Sequence, residues 1–73
     1  MNQKERFVRE LRKKRFEYGH TQEQAAELLD ISTRHFQDLE SGRSLPGFKS
    51  ICQLVDKYKM DFAMFVEDEE KII

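Results

Sequence analysis

Apolar residues recur along this chain at helical spacing, and no stretch alternates as a strand does. Phe7, Leu11 and Tyr18 fall at i, i+4 and i+11, with Val8 beside them, in a stretch free of Gly and Pro. That spacing predicts an amphipathic helix over residues 3–18, ended by Gly19. Thr21 then stands as the N-cap of a second helix, and Gln24, three residues on, completes a capping box. Ala25, Ala26, Leu28 and Leu29 supply the inner face of this helix, which runs to about Leu29. Asp30 marks a turn, and Ser32 or Thr33 caps a third helix whose buried stripe is Phe36 and Leu39 and whose end is Ser41-Gly42. The Pro46 and glycine cluster in "SGRSLPG" reads as a loop, after which Phe48, Ile51, Cys52, Val55 and Tyr58 mark a fourth helix. Asp61 caps a short fifth helix containing Phe62, Phe65 and Val66, and the acidic residues after it are expected to fray.

Five helices with no repeat, low-complexity segment or linker give a compact all-α domain over residues 1–66 and an acidic C-terminal tail over residues 67–73. Folding at this length buries only about 60% of the surface that the unfolded chain exposes, so most apolar residues are needed for the core. Few are left for a cofactor pocket, and no cofactor is expected. The single cysteine, Cys52, excludes an internal disulfide and a multi-cysteine zinc site, and the two isolated histidines offer no metal-ligand spacing. With no signal peptide and no apolar run near 18 residues, the chain reads as cytoplasmic, with no membrane partner. No nucleophile stands beside a base and no glycine loop cradles phosphate, so an enzyme is not expected.

Charge changes the picture through its distribution. Charged residues make up 37% of the chain, yet the net charge is -1, which by itself gives no push toward nucleic acid. Residues 1–20 carry seven Lys or Arg against three Glu, and residues 21–40 carry one Arg against five acids. Residues 41–60 return to four basic against one acidic, and residues 61–73, closing on "EDEEKII", hold one Lys against five acids. Such blocks become solvated helix faces or charged patches.

Three segments carry a resemblance. "YGHTQEQAAELLDIS", "FQDLESG" and "RSLPGFKSICQLVDKYKMDFAMFV" are similar, without a gap from Gly19 to Val66, to the phage-repressor/Cro family, also called the xenobiotic response element family. The likeness extends over residues 7–66 and implies a lambda-repressor-like domain in which helices 2 and 3 form the helix-turn-helix. Small Ala26 permits close approach where the two helices cross, and Ile31 and Phe36 fill the angle between them. The resemblance also implies an ion pair between Arg15 and Glu40, tying helix 1 to helix 3. This chain departs from the family in places. Asp30 stands where Gly is usual at a positive-φ turn position, Lys59 replaces a common helix-ending Gly, and Ala25 with Phe36 exchanges a larger and a smaller residue.

Helix-turn-helix docking places the second helix of the hairpin in the major groove of double-stranded DNA with its N-terminal residues on base edges. With Phe36 and Leu39 turned inward, the outward residues Thr33, Arg34, Gln37 and Asp38 become the candidate base contacts. Arg34 suits guanine, Gln37 adenine, Thr33 a base or a thymine methyl, and Asp38 a cytosine amine. Gln22, with free backbone N–H groups around it, and Ser41 and Arg43 after helix 3 are placed like the family's phosphate contacts. Arg12, Lys13, Lys14 and Lys49 are further phosphate candidates. His20 is expected as a half-buried packing residue, His35 as a solvated one, and Cys52 as a small core or boundary residue.

One recognition helix reads few base pairs, so the expectation is a prokaryotic or phage repressor-like transcriptional regulator, acting as a homodimer on a palindromic operator. The apolar run Phe62–Val66 offers a dimer surface or caps the core. The alternative is an antitoxin or protein-interaction module using the same fold with little or no DNA binding, motivated by the net charge of -1.

Overall fold

A computed structural model of the protein describes residues 2–61 and 63. Over these residues it holds four helices and no strand: α1 (Gln3–Glu17), α2 (Gln22–Leu28), α3 (Thr33–Ser41) and α4 (Phe48–Lys57). The expected fifth helix, the dimer surface assigned to it and the tail at 67–73 lie outside the described residues. Just after α4 the Asp61 carboxylate accepts the Ala63 N–H at 3.0 Å.

Helix starts follow local chemistry. The Asn2 side chain accepts from the Glu5 N–H at 2.8 Å while the Glu5 carboxylate accepts from the Asn2 N–H at 3.2 Å, a reciprocal cap for α1. Thr21 and Gln24 do the same for α2, at 3.0 and 2.8 Å. At α3 the Ser32 hydroxyl accepts from the His35 N–H at 3.0 Å, which makes Ser32 the cap and Thr33 the first helical residue.

The first three helices also end alike. After α1, His20 N–H bonds to Arg15 C=O and Gly19 N–H to Phe16 C=O, both at 3.0 Å. After α2, Ile31 bonds to Ala26 at 3.0 Å and Asp30 to Glu27 at 3.1 Å; after α3, Arg43 bonds to Asp38 at 2.9 Å and Gly42 to Leu39 at 3.2 Å. Each is a Schellman closure, which requires one left-handed residue. Gly19 (φ 70°), Asp30 (φ 60°) and Gly42 (φ 84°) are those residues. At Gly42 the requirement is also spatial, since a Cβ there would meet Lys4 Cε at 3.3 Å and Val8 Cγ2 at 3.6 Å. Lys59 too is left-handed, at φ 54°, so α4 stops where the family resemblance puts glycine.

Phe7 and Leu11 of α1, Ala25, Ala26 and Leu29 of the α2 segment, Phe36 and Leu39 of α3, and Leu54, Tyr58 and Met60 from the α4 region form one buried cluster, with Val8, Leu28 and Ile31 packed against it. Ala25 and Phe36 are both fully buried in that cluster. Two expectations fail. Tyr18 is not on the buried stripe of α1; it caps the helix and is 42% exposed, its ring edge-on to Tyr58 with centroids 5.0 Å apart. On α4, Ser50 and Leu54 face the core, in line with Tyr58 beyond the helix end, whereas Phe48 is 79% exposed and Cys52 is exposed. Apolar residues occupy more than one side of α4, and residues 50, 54 and 58, four apart, define the side that meets α1–α3. Cys52 is thus neither a core nor a boundary residue.

Tyr58 is the largest fully buried side chain. Its hydroxyl shares a 2.9 Å hydrogen bond with Nδ1 of His20, whose ring stacks on it at 5.8 Å, so His20 packs half-buried as expected. Burial pushes the Tyr58 phenol up to about 12, opposed by the Arg15 guanidinium and reinforced by Glu40 and Tyr18.

Candidate nucleic-acid interface

The side chains that fix α3 against the rest of the molecule start at Glu40, which is buried despite its charge. Arg15 grips it with two bonds, Nε to Oε2 at 2.8 Å and Nη2 to Oε1 at 3.2 Å, and sends Nη1 to the His20 carbonyl at 3.2 Å. The ion pair implied by the family resemblance is therefore present, and its bidentate geometry fixes direction as well as distance. Glu40 Oε1 also accepts from Gln22 Nε2 at 2.7 Å, which draws the first residue of α2 into the same network. Gln22 Oε1 in turn accepts from Gln37 Nε2 at 3.2 Å.

This chain of bonds orders the amides. A carboxylate only accepts, so Gln22 must turn its NH₂ toward Glu40 and its oxygen toward Gln37. Gln37 then keeps its own oxygen and one N–H uncommitted by these bonds. That acceptor–donor pair is the complement of the N6 and N7 edge of adenine. Sequence alone placed Gln22 at the phosphates and Gln37 at a base; the structure joins the two side chains.

The remaining expected residues lie around this pair. On α3, Arg34 and Gln37 are exposed, Thr33 and Asp38 half-buried, and Phe36, Leu39 and Glu40 point inward. Ser41 is exposed, its hydroxyl donating to the Asp38 carbonyl at 3.2 Å, and Arg43 follows the left-handed turn at Gly42. Asp38 Oδ1 lies 3.8 Å from Arg34 Nε and 3.7 Å from Arg43 Nη1. His35 is half-buried and so less solvated than expected.

Among the further phosphate candidates, Lys14 pairs with Glu17 at 3.9 Å and Lys49 with Asp30 at 3.5 Å. Arg12 and Lys13 line an open groove of about 680 Å³ on α1 together with Lys4, Arg9, Val8 and Phe16, and the groove reaches Ser41 and Gly42. Among the described residues no cluster of His, Cys, Asp and Glu is placed to hold a metal ion, and no helix is long and apolar enough to cross a membrane.

A short capped helix, a tight left-handed turn and a second helix with one buried face and one polar face constitute a helix-turn-helix unit. The model of the helix-turn-helix domain family matches residues 6–65, and the chain belongs to that family. No curated protein and no solved structure matches it significantly.

Proposed function

We propose that the protein is a sequence-specific transcriptional regulator of repressor-like type, binding double-stranded DNA as a homodimer on a palindromic site. In this reading α3 enters the major groove, Thr33, Arg34 and Gln37 meet base edges from a face that also carries Asp38, and Gln22, Ser41 and Arg43 clamp phosphates on either side. The observation that carries it is the bond chain Arg15–Glu40–Gln22–Gln37, which runs from a buried ion pair to an exposed amide and leaves that amide an acceptor and a donor of the kind an adenine edge would take. Such preorganisation has no use on a surface that meets only water.

Selection from random duplexes, followed by fluorescence anisotropy at several salt concentrations, tests the reading. A palindromic consensus with half-sites about 34 Å apart is expected, with affinity falling steeply as salt rises. Arg34→Ala is expected to relax preference at one base pair, at a cost of about 1–3 kcal/mol. Gln22→Ala is expected to weaken all sequences and also blur the position facing Gln37, because it removes that residue's tether. No duplex binding at low salt would point to the second reading, an antitoxin or protein-interaction module, which rests on the net charge of -1 and on the exposed Leu45 and Phe48.

A further inference from the structure

Asp38 is an acid on a face that has to approach polyanionic DNA, and its surroundings give it a use other than accepting from a base. Its carboxylate is recessed, with 24% of the side chain exposed, while the two arginines beside it are 80% (Arg34) and 74% (Arg43) exposed. One oxygen, Oδ1, faces both guanidinium groups, at 3.8 and 3.7 Å. Arg34 is one helical turn before Asp38, whereas Arg43 arrives from beyond the helix, returned by Gly42. The backbone carbonyl of the same residue accepts from the Ser41 hydroxyl and from the N–H groups of Arg43 and Ser44 at 3.2, 2.9 and 3.1 Å. Asp38 thus joins the base-reading arginine to the phosphate clamp through both its side chain and its main chain.

We propose that Asp38 is a positioning and specificity-determining residue that holds Arg34 and Arg43 in reserve and does not itself read a base. The inference rests on the DNA-binding reading above. At 3.7–3.8 Å the contacts are ion pairs without hydrogen-bond geometry, weak enough to be exchanged on binding. Any duplex brings phosphates toward the Asp38 carboxylate and meets repulsion. Only a site offering acceptors to both forks, a base edge for Arg34 and a phosphate for Arg43, replaces what the arginines give up and neutralises the field around the acid. The carboxylate therefore lowers affinity for random sequence more than for the correct site, which is how a repulsive element produces discrimination.

Asp38→Asn tests this against Asp56→Asn, which removes the same charge from an exposed position on α4. Affinities are measured for the selected duplex and for a random-sequence duplex, and the mobility of the arginine Nε–H groups is followed by ¹⁵N relaxation in the free protein. Asp38→Asn is expected to tighten random-duplex binding, to lower the selected-to-random ratio by roughly tenfold, the scale of one mismatched base pair, and to free both arginine forks. Asp56→Asn is expected to leave the ratio and the forks unchanged. If the wild type selects a sequence but Asp38→Asn loses affinity only for sites with cytosine at one position, Asp38 is a direct reader and the inference is overturned. Equal ratios in the two variants overturn it as well, as an effect of net charge. A wild type that selects no sequence removes the DNA-binding reading and this inference with it.

Discussion

Tyr58 shows how much depends on one side chain in a small core. It is fully buried, bonded to His20 and contacted edge-on by Tyr18, and its phenol resists ionisation until about pH 12. In the unfolded chain the same phenol ionises near 10. The contribution of this group to stability is therefore fully present below pH 10 and is lost as pH climbs from 10 through 12, because the unfolded state gives up the proton first. Tyr58→Phe is expected to flatten that alkaline loss in thermal melts and to remove the late step from the tyrosine absorbance titration. An unchanged titration would show that the Tyr58 phenol is not held back by burial. Arg34 and Gln37 were legible as outward residues because Phe36 and Leu39 fix the inward face, whereas Thr33 and Asp38, read the same way, are half-buried. The partners of Asp38 and Gln22 were not legible. Arg43 reaches Asp38 only through the Gly42 turn, and Gln22 reaches Gln37 only because Glu40 turns its amide, neither of which is a matter of spacing along the chain.

At the scale of elements, starts and stops were the most legible feature, since each is written locally. Thr21 and Ser32 bring their own acceptors, and Gly19, Asp30 and Gly42 bring left-handed backbone; the Asn2 cap of α1 is seen only in the structure. Helix α4 was legible as a helix but its inner face was not, because its apolar residues lie on more than one side and the choice is made by α1–α3. Lys59 holds a left-handed conformation that costs an ordinary residue about 1–2 kcal/mol. Lys59→Gly, after the loss of about 0.5–1 kcal/mol for glycine flexibility, is expected to gain up to about 1 kcal/mol in urea unfolding; a net loss would show that the Lys59 side chain makes a stabilising contact. The link between α1 and α3 is separable in the same way. Arg15→Met is expected to destabilise by about 3–5 kcal/mol by stranding a buried carboxylate. Arg15→Met with Glu40→Met is expected to recover much of that stability while still binding DNA less well, because Gln22 and Gln37 lose their anchor. A double variant with wild-type affinity would show that the network stabilises the hairpin without aiming it.

For the whole molecule, the near-zero net charge that seemed to argue against nucleic acid conceals a division of labour. Lys4, Arg9, Arg12 and Lys13 of α1 line one groove together with Glu5 and Glu17, the acids Glu40 and Asp38 are engaged by arginines, and Arg34 and Arg43 remain outward. Among the described residues the core is a single cluster of ten buried apolar side chains, drawn from every described helix. A chain of this size has a total stability of roughly 4–11 kcal/mol, and about 1 kcal/mol moves its melting temperature by 4–8 °C. The small core thus makes the domain a sensitive thermometer for its own ligands. A duplex present at a hundred times its dissociation constant adds about 2.7 kcal/mol to the folded state, which corresponds to a rise in melting temperature of roughly 10–20 °C. Melting the protein against a panel of duplexes would rank candidate operators by temperature alone, with no label on either partner.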